Sequence, residues 1–294
     1  MADIDRLDAL LEHFRVRTRL FHTGSLCGVT HFPAQPGRGF LHVFRRGDMD
    51  VAHHDADGTL RRQRVDRPSL IFCPRAVDHS FDNAPDDDSD FACATFDIDG
   101  GATHPLLDAL APLVVVPLDT AGDLDQALGL LFAEIDRVRC GNRVLADRLF
   151  EVLLIQLFRW LLDHPDQLSV PAGLLAGLAE PRLARALTAI HESPGTPWTL
   201  SSMASRAGMS RSTFAAQFKQ LVGQTPAAYL TGWRITLAQA QLRAGNSVTR
   251  TAFDLGYATA PAFTRAFTAR LGCSPRAWLK TTGTDVSGAG TPAA

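Results

Sequence analysis

Cys27, His42, His79 and Cys93 are the residue types in this chain best suited to binding a metal or exchanging electrons. Each sits in or beside a different short apolar segment: SLCGV, FLHVF, VDHSF and FACAT. His42 lies between Phe40 and Phe44 at a spacing of two, so in a strand it shares their face and points into a core. If the four segments are strands of one barrel, two thiols and two imidazoles converge on its interior. That set has the composition of a tetrahedral zinc site. It equally suits a redox switch, since a neighbouring imidazole raises the thiolate content of a cysteine. The plain alternative is buried thiols and hydrogen-bonded histidines, because no short Cys-x-x-Cys is present.

Positioning four such groups requires strands, and residues 20 to 100 supply the pattern. SLCGVTHF, GFLHVFRRGD, MDVAHH, PSLIFCP, HSFDN and DFACATFDID are short, alternating or apolar, and separated by PAQPGRG, DADG and NAPDDDSD. Many short strands between such turn signals read as an all-β sandwich or barrel. From residue 121 the period changes. DLDQALGLLFAEIDRVRCG and NRVLADRLFEVLLIQLFRWLLDH repeat as helices, and the second is apolar around much of its circumference. Such a helix needs cover on more than one side, from the barrel or from a second subunit.

Composition bounds the rest. The 294 residues are 46% hydrophobic and 20% charged, which describes a foldable chain long enough for two domains. The opening MADIDRLDALLEHF is acidic and lacks the apolar run of a signal peptide, and Val152 to Leu162 is interrupted and too short to span a bilayer. Five scattered cysteines argue against a disulfide framework. These features read as a cytoplasmic protein with no membrane partner. The net charge of −2 hides an asymmetry: from Pro181 onward twelve Lys and Arg face three acids, a balance of +9, leaving −11 on the remainder. A basic end on an acidic body suits contact with a polyanion at that end.

The same basic region carries an internal repeat. LSSMASRAGMSRSTFAAQFKQLVGQTPAAYL aligns with VTRTAFDLGYATAPAFTRAFTARLGCSPRAWL, pairing Ala204 with Ala252, Gly208 with Gly256, Phe214 with Phe263, Phe218 with Phe267, Gly223 with Gly272 and Pro226 with Pro275. Each unit reads as a short helix, which Ser201 can cap in the first, then a turn at glycine and a longer helix. In that second helix two phenylalanines four apart face inward. The opposite faces present Arg211, Ser212, Ala215, Ala216 and Lys219 in one unit, and Ala260, Pro261, Thr264, Arg265 and Thr268 in the other. This is the helix-turn-helix pattern, whose second helix enters the major groove of DNA. Residues 225 to 245 form a long helix between the units.

Two such units joined by a long helix, each closed by Gly-x-[Ser/Thr]-Pro and an aromatic-Leu pair, resemble the DNA-binding domain of the AraC/XylS transcriptional regulators over residues 181 to 280. The resemblance implies two recognition helices in successive major grooves about 34 Å apart. It places base contacts on Ser212, Ala215 and Ala216, and on Ala260, Pro261 and Arg265. Family members often carry Arg or Gln where Ala215 and Ala216 stand, and polar residues where Ala260 and Pro261 stand. Here Arg265 alone keeps a long bidentate donor. The barrel with its helices resembles, more loosely, the cupin-type effector domain of many such regulators. A metal-dependent cupin enzyme would show two His one residue apart, then Glu, then a further His. His53 and His54 are adjacent and point to opposite faces, with no Glu at a useful distance.

The expected fold is therefore an α+β multidomain chain: a cupin-like barrel at 1–120, a helical dimerisation element at 121–164, a linker at 165–180, an all-α double helix-turn-helix domain at 181–280 and a disordered tail at 281–294. The expected function is a non-enzymatic transcription regulator that binds double-stranded promoter DNA as a homodimer. Its barrel would sense a small molecule, metal or oxidant, with zinc the metal such a set would take. An activator of this kind would also contact RNA polymerase. The alternative, a cupin-fold metal-binding or oxidoreductase-type protein with a helical appendage, leaves the repeat and the +9 balance unexplained.

Overall fold

A computed structural model describes residues 5–55, 57–83, 89–98, 104–108, 110–165 and 172–284. It divides into two compact units, one of residues 15–179 and the other joining 1–14 to 180–294.

Among the described residues, nine strands build the first unit. A five-stranded antiparallel sheet runs in the order β1 (Val16–Gly24), β8 (Asp90–Ile98), β3 (Gly39–Arg46), β6 (Ser69–Cys73), β9 (Val114–Pro117). A four-stranded sheet runs β2 (Gly28–Phe32), β7 (His79–Asn83), β4 (Met49–His54), β5 (Leu60–Val65). Phe40, Phe44, Ile71, Phe91 and Cys93 of the first sheet and Phe32, Met49, Val51, Val65 and Phe81 of the second form one buried cluster. The core is therefore the space between the sheets, as the period-2 patterning requires.

Three strands lie outside the expected set or start earlier. β1 begins at Val16, while β5 and β9 carry no alternation to reveal them: five of the six β5 residues are exposed. Cys27 stands in the loop between β1 and β2, not in a strand.

The back of the larger sheet is covered by α4 (Asn142–Asp163), which follows α3 (Asp125–Ile135). Phe158 of α4 meets Phe72 of β6 edge-on at 6.1 Å, and the Leu20 amide donates to Asp147 Oδ1 at 2.6 Å. Arg45 at the end of β3 is committed to structure. Its guanidinium pairs with Asp136 and Asp90 and lies 4.2 Å over the Phe132 ring. A short α2 (Pro105–Asp108) and α5 (Leu174–Ala179) complete the unit, the latter inside the expected linker. Residues 166–171 of that linker and most of the acidic run near Asp86 lie outside the described residues.

The second unit contains α1 (Asp8–His13), α6 (Pro181–Glu192), α7 (Leu200–Ala207), α8 (Arg211–Val222), α9 (Pro226–Arg243), α10 (Val248–Asp254), α11 (Ala260–Leu271) and α12 (Pro275–Thr284). The first helix of the first helix-turn-helix unit is capped by Thr199, which forms a reciprocal capping box with Ser202, and not by Ser201. α12 extends to Thr284, past the expected start of the tail, and residues 285–294 lie outside the described residues.

The opening segment departs most from expectation. Leu7, Leu10 and Phe14 are buried, Phe14 meets Trp233 of α9 edge-on at 5.4 Å, and His13 Nε2 lies 3.2 Å from the His191 carbonyl oxygen. Residues 5–14 thus belong to the helical unit although they lead into the barrel.

Candidate functional site

The second helix of each repeat is fixed by the same three devices. Ser210 accepts from the Thr213 amide at 3.2 Å and Thr259 from the Ala262 amide at 3.2 Å, so each helix starts at a defined residue. Gly223 and Gly272 end them with φ of 82° and 75°. Between these limits Phe214 and Phe218 on α8, and Phe263 and Phe267 on α11, are fully buried. Pro261 sits in the first turn of α11, where no intrahelical bond is lost. Small Ala204 and Ala252, on the first helix of each pair, are buried.

With the phenylalanines turned inward, the other faces are open. Arg211, Ser212, Ala216 and Lys219 are exposed on α8 with Ala215 half-exposed. On α11 Pro261, Arg265 and Thr268 are exposed, with Ala260 and Thr264 half-exposed. No hydrogen bond or ion pair within the described residues engages Arg211, Lys219 or Arg265, so their donors face outward. The α8 face presents two cations and the α11 face one, beside methyl groups, and neither carries an acid.

In the other unit the strand register sets out the polar residues of the barrel interior. Cys93 on β8 is flanked in register by His22 on β1 and His42 on β3. On the opposite sheet His79 is in register with Phe32 and His53. His42 and His79 meet across the core with their Nε2 atoms 2.9 Å apart, both buried among Phe32, Phe40 and Phe81.

The protons in this pair can be assigned. His79 Nδ1 lies 2.9 Å from the Val77 carbonyl, which only accepts, so that nitrogen carries hydrogen. In the neutral ring Nε2 is then bare and accepts from the Nε2–H of His42. This leaves His42 Nδ1 as a buried lone pair with no partner among the described residues, and His22 Nε2 is likewise unpartnered.

The structure thus brings together two of the four expected residues as a pair, with Cys93 beside His42 in register, and leaves Cys27 exposed in its loop. Among the described residues no three His, Cys, Asp or Glu side chains are arranged to hold a metal ion. Cys27 therefore does not join His42, His79 and Cys93 in one tetrahedral arrangement among the described residues. The reason is local: Gly24 and Gly28, both at positive φ, carry the chain out of pairing on either side of Cys27. Burial also pushes the Cys93 thiol far above its usual range, which suppresses its thiolate.

His22 joins the interior because a bulge between Leu20 and His22 re-aims it. His191 and His104 are likewise buried: His191 Nε2 lies 2.5 Å from the Tyr229 hydroxyl, and His104 Nδ1 accepts from the Leu106 amide.

Burial lowers His42 well below the ordinary imidazole value and His79 to about 4. The unfolded chain, with imidazoles near about 6.5, binds more protons in the window between these values. The stability contributed by neutral burial is complete above that window and is lost as pH falls towards 4. The urea midpoint of the barrel is expected to drop between pH 7 and pH 4.5, and His79→Phe to flatten the profile. A wild-type midpoint unchanged over that range would contradict the assignment.

Residues 5–163 match the family model described as Cupin, and residues 203–281 match the helix-turn-helix domain. A Streptomyces lividans protein described as an AraC-like transcription regulator is 38% identical over 240 residues, covering 80% of this chain and 78% of its own length. A Streptomyces antibioticus protein of the same description is 42% identical over 195 residues, covering 63% of each. Among solved structures, the DNA-binding domain of AdpA in complex with a target DNA is 29% identical, covers 35% of this chain and 93% of that one, and superposes with a TM-score of 0.34. No helix among the described residues is long and apolar enough to cross a membrane.

Proposed function

Because the chain belongs to the AraC-like transcription regulators, with a cupin-like N-terminal domain and a helix-turn-helix DNA-binding domain, we propose that it reads promoter DNA through the outward faces of α8 and α11 in successive major grooves. The carrying observation is the pair of repeated helices, each anchored by two buried phenylalanines with its cation-bearing face open.

Ala215, Ala216, Ala260 and Pro261 offer only apolar contact, suited to thymine methyl groups and groove shape. Much of the affinity then comes from phosphate contacts by Arg211, Lys219 and neighbouring cations. In titrations of the full chain against promoter duplex, the logarithm of affinity should fall steeply and linearly with the logarithm of salt concentration. A flat response would remove the DNA reading.

The helical element supports a homodimer. Leu145 and Val152 lie one heptad apart on α4 and are exposed, as are Val144, Leu130 of α3 and Val138 between the helices. Leu145→Glu combined with Val152→Glu is expected to convert a dimer to a monomer in sedimentation velocity. A wild-type chain that already sediments as a monomer would refute the interface.

The signal is registered, in this reading, inside the barrel beside His22, His42 and His79, by a small molecule that donates a hydrogen bond to the bare His42 Nδ1. An oxidant would meet exposed Cys27 before buried Cys93. Free-thiol counts with Cys27→Ser and Cys93→Ser decide that arm: unaltered DNA binding after oxidation in all three proteins would exclude it. A regulator of this kind works in the cytoplasm.

A further inference from the structure

The two helix-turn-helix turns have the same backbone but different surroundings. In the first, the Gly208 amide donates to Ser205 and the Met209 amide to Ala204. In the second, the Gly256 amide donates to Phe253 and the Tyr257 amide to Ala252, the same bonds 48 residues later. Both glycines have positive φ, 63° and 75°. A Cβ on Gly208 would meet nothing within 4 Å. A Cβ on Gly256 would overlap the carbonyl oxygen of Gly195 and come within 2.9 Å of Arg234 Nη2. Gly195 is tight in return: its own Cβ would lie 2.5 Å from the Asp254 carbonyl oxygen.

Gly195 belongs to the loop that leads from α6 into the first helix-turn-helix unit, and Gly256 to the turn of the second. Arg234, on the long helix between the units, holds that contact closed. Its Nε donates to the Pro194 carbonyl and its Nη2 to the Thr196 carbonyl, both at 2.8 Å, while its guanidinium lies 5.6 Å from the centre of the Tyr257 ring. Two parts of the domain therefore meet backbone to backbone, and the third reaches them through one bidentate cation. A turn needs none of this to form, as the first unit demonstrates.

We propose that the Gly195–Gly256 contact, closed by Arg234, is a positioning device that fixes the phase of α11 relative to α8 and so sets the spacing of the two DNA segments the regulator accepts. The inference rests on the reading that both helices enter DNA. A hinged pair of readers would follow segments moved apart or rotated. A locked pair would not, because one added base pair shifts and rotates one segment relative to the other.

The test uses the full chain and a duplex selected by it from a randomised pool, with the two contacted segments mapped by footprinting. Versions with one base pair inserted or deleted between the segments are then titrated. The wild type is expected to lose about tenfold or more in affinity on either change, comparable to losing one base contact. Arg234→Lys, which keeps the charge but not the fork, and Gly195→Ala are expected to bind the original duplex less well and to reduce the spacing penalty to about threefold or less. Gly208→Ala, with the same φ problem in open space, should keep the wild-type penalty. Thermal unfolding of each variant is followed in parallel, since a merely structural role would lower stability and leave the spacing preference alone. A wild type that tolerates both spacings would overturn the proposal whatever the variants do. So would Arg234→Lys and Gly195→Ala proteins with an unchanged penalty. A wild type that enriches no duplex would overturn the two-helix reading and the proposal with it.

Discussion

Arg265→Ala is expected to weaken binding to the promoter site by about ten- to a hundred-fold, the 1–3 kcal/mol that one bidentate guanine contact supplies. The effect should be large because its neighbours cannot share the work. Ala260 and Pro261 precede it on the same face without a donor, and Ala215 and Ala216 leave the corresponding face of α8 equally bare. Substituting the guanine beneath Arg265 should then weaken the wild type and leave the variant unaffected. Arg265→Lys should fall close to the alanine variant, since an ammonium cannot reproduce the planar fork. Fluorescence anisotropy on matched duplexes measures all of these. A variant that still discriminates at that position would mean that another residue reads it.

The second large effect is placed far from the repeat in sequence. Phe14→Ala should destabilise the helical unit by roughly 3–5 kcal/mol, the usual cost of removing a buried aromatic ring. Phe14 has no exposed surface, and its ring packs edge-on against Trp233 of the helix that joins the two readers. The unfolding transition reported by tryptophan emission should move to lower denaturant, and DNA affinity should fall with it. Glu12→Ala, exposed on the same short helix, serves as the control and should move neither. An unchanged transition in Phe14→Ala would show that residues 5–14 are not part of that unit's stability.

The repeat was legible because its signals are local. Glycine stops, hydroxyl caps and phenylalanines four apart each act within a turn or two of helix, and the structure adds only that Thr199 supplies the first cap. The barrel was less legible because its signals are not. β5 presents Arg61, Arg62, Gln63 and Arg64 to water and has no apolar face to advertise it. His22 enters the interior through a bulge, which depends on the partner strand and leaves no mark in the residues themselves. Cys27 fails to join because two glycine turns lift it out of pairing. The His42–His79 pair follows from alternation on two separate strands. Their meeting could be anticipated, but the tautomers that leave one nitrogen bare depend on the Val77 carbonyl, which only the fold brings within reach.

The placement of residues 5–14 also bears on how the chain is made. His13 and the His191 carbonyl meet across 178 residues of sequence. Leu7, Leu10 and Phe14 leave the ribosome well before the helices that cover them, which follow the barrel in sequence. At about 5–20 residues per second their apolar side chains wait for many seconds while the strands between are produced. The helical unit thus closes only after the barrel strands have been made. A nascent chain stalled after the barrel would carry an exposed Leu-Leu-Phe strip ahead of its strands, a natural place for a chaperone to hold it.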